Sequence, residues 1–287
     1  MSKILITGAN GQLGIELSKL LPDAICADIN ELDICDFDAV FDFVEQNNIE
    51  TIINCAAYTA VDKAEDEIEI AHKVNVIGAK NLAKTNCDLI HISTDFVFDG
   101  QNHKPYLPDD VANPISVYGQ TKRDGELAVM ENNKNAIIIR TSWLYSINGS
   151  NFVKTIRKLA KEKDFLNVVC DQVGSPTSAF DLACAIVKIL PKIKNNAGIY
   201  HYANEGVCSW YDFAKEIIDL SEASCSVFPI SSSQYLTKAK RPSYSVLDKS
   251  KIKETFKLEI PYWKDSLRRC IFELENCEKK GVCQWRE

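Results

Sequence analysis

The sequence predicts an α/β protein built on a doubly wound parallel sheet, and three observations carry that prediction. A short apolar strand near the N-terminus runs into a glycine-rich turn and then a helix. Strand and helix patterns alternate from there to Thr141, the signature of successive βαβ units. An acidic residue, Asp28, closes the second strand.

The first element is Lys3–Thr7, which leads into Gly8-Ala9-Asn10-Gly11-Gln12-Leu13-Gly14. Leu13, Leu17, Leu20 and Leu21 then recur at helical spacing until Pro22 stops the run. In a Rossmann-type strand–turn–helix, glycines let the backbone approach a pyrophosphate, and the helix N-terminus presents free N–H groups. The spacing here is Gly-x-x-Gly-x-x-Gly rather than Gly-x-Gly-x-x-Gly, so an ordinary βα turn is the plain alternative. Ala24–Ala27 weighs against that alternative, because it ends at Asp28, 20 residues after Gly8. A carboxylate there accepts from a ribose 2′-hydroxyl and repels a 2′-phosphate, which favours NADH.

Asp33-Ile34 leads into the helical pattern Val40, Phe41, Phe43, Val44. Thr51–Ala57 is continuously apolar enough for a buried parallel strand. Tyr58–Glu65 follows at its carboxyl end, where ligands of open α/β sheets gather. A long helix is expected from about Ile70 to Thr85, then a strand Asp88–Ile92 opening onto Ser93–Gly100. A loop with Pro105, Pro108 and Pro114 precedes a helix bearing Tyr118-Gly119-Gln120-Thr121-Lys122. The strand Ala136–Ile139 ends at Arg140-Thr141-Ser142-Trp143.

Beyond Asn151 the pattern is mixed. Helices are expected over Phe152–Lys161, Ser178–Leu190, Ser209–Ser221 and Pro261–Cys277, with strands over Asn167–Cys170 and Ile199–Tyr202. This divides the chain into a dinucleotide-binding domain over 1–150 and a smaller α/β domain, mainly for substrate, over 151–287. Some later segments are expected to return to the first domain.

Composition narrows the class. Hydrophobic residues at 46% and charged residues at 25% are ordinary for a globular protein. A net charge of −7 argues against a general basic surface for nucleic acid or anionic membrane. No signal-peptide pattern or membrane-length apolar run is present, so a cytoplasmic protein is expected. The 11 cysteines are scattered with no Cys-x-x-Cys pair, which reads as reduced core thiols without a zinc site. Cys277 and Cys283 are expected to be free thiols, with a pairing between them the lesser alternative. The four histidines show no metal spacing, and His91 is expected to be a satisfied interior group.

Tyr118 and Lys122 lie one helical turn apart on the same face. An ammonium near a phenol favours the phenolate, lowers its pKa and makes it useful as an acid/base. An isolated Tyr-x-x-x-Lys is a weak signal, equally at home on a surface helix. Here it follows Ser93 and Thr94 at a strand end and shares the chain with a nicotinamide-dinucleotide turn. Lys238–Pro242 is a local basic patch that reads equally well as solvated loop charge or as a diphosphate clamp through Arg241.

Together these features resemble the extended short-chain dehydrogenase/reductase family, whose triad is Ser/Thr, Tyr and Lys. The matching segments are Thr7–Gly14, Asn54–Glu65, Ser93–Gly100, Asn113–Glu126, Arg140–Tyr145, Asp171–Thr177 and Lys240-Arg241-Pro242. Within that family they are most similar to enzymes that reduce the C4 ketone of a nucleotide-linked deoxysugar. The resemblance implies NADH or NADPH as cofactor, Tyr118 as proton donor to the ketone oxygen, Thr94 as its second partner, and Lys122 on the nicotinamide ribose. It implies a cofactor site in which Gly11-Gln12-Leu13 cradle the pyrophosphate between Gly8 and Gly14, with Asp28 at the adenosine ribose, Asp33-Ile34 at the adenine and Tyr118 also against the cofactor. Ala57-Tyr58-Thr59 would meet the cofactor's sugar and phosphate end, and Tyr58 stands where the family often has His. Thr94, Asp95 and Trp143 would contact the sugar; Arg241 as the diphosphate contact is a reading of the basic patch and not of the resemblance.

No metal is expected, since Glu16 reads as a first-turn surface glutamate. A monomer or homodimer acting on a small nucleotide sugar is expected. Without the resemblance, Trp143 reads as core packing and Asp95 as a turn residue. An epimerase or 4,6-dehydratase of the family is one rival, although Asp95-Phe96 replaces the Asp-Glu usual in the dehydratases. A non-catalytic nucleotide-binding regulatory subunit is another.

Overall fold

The computed structural model describes residues 3–279. Its centre is a six-stranded sheet in the order Gly198–His201, Ile137–Thr141, Asp88–Thr94, Thr51–Asn54, Ile4–Thr7, Ile25–Ala27. Every adjacent pair is parallel. The strands are apolar without alternation because both faces are covered. On one face Ile6, Ile53, Ile90, Ile137 and Ile139 pack against Leu13, Leu17, Leu182 and Ile186. On the other, Leu5, Ile52, Leu89 and Ile138 pack against Val40, Val44, Leu82 and Val129. Burying each such side chain contributes roughly 1.5–3 kcal/mol.

Helices follow the sequence pattern closely. Gln12–Leu20 stops before Pro22, Phe37–Asn47 is capped by the Asp36 side chain on Ala39 N–H, and Val117–Asn132 is capped by Ser116 on Gly119 N–H. Strand Ser226–Ile230 and helix Ser250–Phe256 were not expected, and one expected helix differs in its middle. The helix expected over Ile70–Thr85 starts at Ile68 and is interrupted by a π-helical turn, Lys73–Gly78, before Ala79–Ala83 completes it. Phe41 is also exposed, leaving Val40 and Val44 as the buried face of its helix.

The later part of the chain has its own apolar cluster. Val153, Ile156, Leu166, Val168, Phe213, Ile217, Trp263 and Leu267 bring together helices Phe152–Glu162, Trp210–Leu220 and Trp263–Lys279 with a parallel strand pair, Phe165–Val169 and Ser226–Ile230. Two later segments lie with the main sheet: Gly198–His201 forms its edge strand, and helix Ala179–Ile189 packs on Gln12–Leu20. Cys277 is a free thiol, and Cys283 lies outside the described residues. Among the described residues no helix is long and apolar enough to cross a membrane.

Candidate active site

The sheet order reverses between Ile4–Thr7 and Thr51–Asn54, which opens a crevice at their carboxyl ends. The glycine turn lies there. Gly8 has φ +65°, and a Cβ on it would stand 2.6 Å from Ala56 N. Gly14 lies so close to the Gly8 carbonyl that a side chain there would overlap it. Gly11 is the N-cap of Gln12–Leu20 and supplies no side-chain cap, so the first N–H groups of that helix are left for a ligand anion. The turn thus fits a pyrophosphate. Leu13 is core, and only its backbone can serve such a ligand. Gln12 Oε1 accepts from Asn151 Nδ2 at 3.0 Å.

Asp28 is half-buried beside the turn. Its carboxylate accepts from Asn10 N–H (2.9 Å) and Ile29 N–H (2.8 Å), while Glu31 accepts from Asp28 N–H (3.0 Å). Asp33 accepts from Cys35 N–H, and the Ile34 side chain is buried against Gly78. Tyr58 is tied twice by its backbone to Asn75, whose Oδ1 accepts from Tyr58 N–H (2.9 Å) and whose Nδ2 donates to the Tyr58 carbonyl (3.2 Å). The Tyr58 hydroxyl donates to Glu67 at 2.6 Å, and that bond, the largest cause, pushes its pKa up to about 12. Ala57 is half-buried and Thr59 exposed on either side of it.

Thr94 ends the central strand Asp88–Thr94, and Tyr118 reaches it from the first turn of Val117–Asn132. Gly119 permits that approach, because any Cβ there would strike the Phe96 carbonyl. Phe96 meets the Tyr118 ring edge-on at 5.5 Å. The Thr94 side chain lies near enough to the Tyr118 phenol to act on it, drawing its pKa down against the effect of burial. Lys122 is almost wholly buried, and its ammonium donates to the Ile92 carbonyl at 2.7 Å.

The charge balance differs from the one expected from spacing. Burial pushes the Tyr118 phenol up to about 12; the Thr94 bond opposes this and the Asp95 carboxylate adds to it. Lys122 is not among the causes, and burial pulls its own pKa down to about 8 against Glu126 and Cys55. Desolvation is the largest influence on both groups. Tyr118 is therefore a firmly protonated phenol, the form that donates.

Asp95 is buried next to Thr94, which donates to its Oδ1 at 3.1 Å, and burial raises its pKa to about 6. Trp143 takes φ +47° and lies half-buried, stacked on Trp210 with ring centroids 3.6 Å apart. Gly174 makes room for it, since a Cβ there would stand 2.7 Å from the indole. Trp210 lines a cleft of about 950 Å³ that also includes Phe152, Leu159, Gln172, Tyr235 and Arg241. Arg241 pairs with Asp62 (2.6 and 3.2 Å) and also donates to the Ala239 carbonyl.

Two expectations need correction. Glu16 lies beyond the first turn of its helix and is buried, accepting from Ser146 (2.9 Å), Asn148 (2.7 Å) and Lys19 (3.3 Å). His91 is interior, with Asn54 Nδ2 on its Nδ1 (2.9 Å), but its Nε2 has no partner among the described residues. Sequence reasoning missed Trp210, Asn75 and Asp62. Each acts through a partner distant in sequence, and no local spacing signals them.

Comparison with known proteins fits this arrangement. Residues 2–276 match the family described as RmlD substrate binding domain. The chain is 42% identical to a dTDP-4-dehydrorhamnose reductase of Aggregatibacter actinomycetemcomitans, over 93% of this chain and 98% of that protein. It is 40% identical to the spore coat polysaccharide biosynthesis protein SpsK of Bacillus subtilis, over 95% and 98% of the two chains. A crystal structure of a dTDP-4-dehydrorhamnose reductase from Clostridium acetobutylicum superposes with a TM-score of 0.92 at 44% identity, covering 95% of this chain and 99% of that one. Another, from Bacillus anthracis in complex with NADP, gives 0.91 at 38% identity and covers 95% and 100%. Matched from end to end on one fold and at this level of identity, the chain belongs to the RmlD family.

Proposed function

We propose that this chain reduces the C4 ketone of dTDP-4-dehydro-β-L-rhamnose to dTDP-β-L-rhamnose with NADH or NADPH, the last step of dTDP-L-rhamnose formation. One observation carries the reading: the buried Tyr118 phenol, on the first turn of its helix, lies by Thr94 at the carboxyl end of the central strand. A reduced nicotinamide supplies the hydride. The glycine turn, Asp28, Asp33-Ile34, Ala57-Tyr58-Thr59 and Lys122 are the residues that would hold that cofactor.

Tyr118 holds its proton at the phenolic oxygen and gives it to the ketone oxygen as negative charge develops there. Thr94 shares that oxygen and stabilises the same charge. Lys122, fixed by the Ile92 carbonyl, keeps a positive charge beneath the site. Asp95 and Trp143 shape the sugar's place, and Arg241 serves the diphosphate. The chain is expected to act in the cytoplasm as a monomer or homodimer on this small-molecule substrate.

The test is NADH or NADPH oxidation, followed by absorbance, with the 4-ketosugar nucleotide as substrate. Turnover is expected with wild type. Tyr118→Phe should lower kcat by about 10²-fold or more, the usual worth of a general acid, while cofactor affinity stays within about twofold. Equal turnover by Tyr118→Phe removes that residue from the mechanism. No turnover of any nucleotide 4-ketosugar overturns the reading.

A further inference from the structure

The stretch Thr237–Ser243 borders the 950 Å³ cleft through Thr237 and Arg241. It is anchored at both ends. Near its start Lys238 pairs with Asp66, and the Asp62 carboxylate accepts from the backbone N–H of Ala239 (3.0 Å). At its finish Ser243 Oγ donates to the Gly100 carbonyl (2.9 Å), with Gly100 at φ +79° and too close to Pro242 and Ser243 for a side chain. Between these anchors, Asp62 takes Arg241 end-on through Nη1 (3.2 Å) and Nη2 (2.6 Å).

The end-on geometry leaves something over. A guanidinium has five N–H donors. Asp62 and the Ala239 carbonyl use the two on Nη1 and one on Nη2. The remaining Nη2 proton and Nε–H have no partner among the described residues, and together they form the side edge that receives two oxygens of a phosphate at once. Arg241 lines the cleft and is a quarter exposed (25%).

We propose that Asp62 is a positioning residue for the nucleotide's diphosphate: it straps 237–243 across the cleft mouth and locks Arg241 with its phosphate-binding edge free. This rests on the nucleotide-sugar reading above. The arrangement also reaches the reacting groups. Asp62 lies in the short helix Val61–Ala64, and Glu65, next in the chain, accepts from Val117 N–H (2.9 Å) beside Tyr118.

The opposite role is physically distinct. If Asp62 merely competed with phosphate for the guanidinium, removing its charge would tighten binding. Positioning requires the reverse, because a freed arginine must be re-ordered each time a ligand binds. The experiment is calorimetric titration of the full chain with dTDP and, separately, thymidine, for wild type, Asp62→Asn, Arg241→Gln and the double variant. Asp62→Asn should weaken dTDP by about tenfold while leaving thymidine and NADH binding unchanged, and the double variant should match Arg241→Gln. In turnover, Asp62→Asn should raise KM for the sugar nucleotide and leave kcat within about twofold. Unchanged or tighter dTDP binding, or additive losses in the double variant, overturns the positioning role alone. A wild-type chain that binds no dTDP overturns both this and the function proposed above.

Discussion

Asp95 is the residue whose surroundings conflict most with its charge. Its Oδ2 is buried with no hydrogen-bond partner among the described residues, and burial lifts its pKa from 3.8 to about 6, against the opposing bonds from Ser245 and Thr94. The folded-state value is raised, so the residue favours folding fully below the unfolded pKa, and that contribution is lost as pH rises through about 6. At about 1.4 kcal/mol per unit, an ionised Asp95 costs on the order of 3 kcal/mol at neutral pH. Asp95→Asn should therefore raise the melting temperature at pH 7 and have little effect at pH 4, while lowering turnover. Melting curves at the two pH values decide this, and an equal shift at both removes the ionisation argument. That Tyr118 and Lys122 share one helix face was legible from their spacing, while Thr94 was pointed to only by its place at a strand end and by the family resemblance. The direction of the Tyr118 shift was not legible. It depends on how deeply the phenol is buried, and Gly119 and the Phe96 carbonyl set that depth from another part of the chain.

At the scale of elements, the strands of the central sheet were readable because burial on both faces demands uninterrupted apolar runs such as Ile137–Ile139 and Ile52–Ile53, whereas the half-exposed strand Ser226–Ile230 was not. The helix before Asp88 was readable as a helix and unreadable in its middle. Nothing in the local pattern distinguishes the π turn Lys73–Gly78, since its cause lies across the interface. There the turn offers Asn75, whose Nδ2 donates to Thr121 (3.0 Å) as well as to the Tyr58 carbonyl. The Asn75 carbonyl presses against Gly125 so closely that no Cβ fits. The widened turn thus couples the Tyr58 loop to the middle of the Tyr118 helix. Gly125→Ala gains intrinsic helix propensity of about 1 kcal/mol but forces two backbones apart, at a cost of about 1–3 kcal/mol or more. The expected result of urea unfolding is a net loss of stability, with reduced turnover because Thr121 and Tyr118 move with the helix. A stabilised Gly125→Ala would show that the contact yields freely.

Across the whole molecule, one buried ion pair joins segments that the chain separates widely. Arg140 Nε and Nη2 donate to the two oxygens of Glu126 at 2.8 and 2.7 Å, with both side chains almost wholly buried. Glu126 Oε1 also accepts from Ser93 Oγ at 2.5 Å, beside Thr94. Arg140 reaches the Pro108 carbonyl (3.2 Å), lies over the Phe98 ring (5.1 Å) and approaches Nε2 of His201 on the late-arriving edge strand (3.5 Å). Burial, with Arg140 adding to it, holds His201 down to about 3, so its ring is neutral and adds no second cation. The pair thus fastens the Tyr118 helix to two central strands, the 98–108 loop and a strand from the second half of the chain. A buried pair of this kind stabilises little compared with an apolar replacement, yet breaking it leaves a naked charge in the core. Glu126→Gln should accordingly cost about 3–5 kcal/mol in urea unfolding and misplace Thr94 through Ser93. The double variant Glu126→Gln with Arg140→Met, which removes both charges, should recover a large part of that stability while turnover stays low. If the double variant is as unstable as the sum of the two single ones, the pair is not coupled and the core tolerates each charge independently.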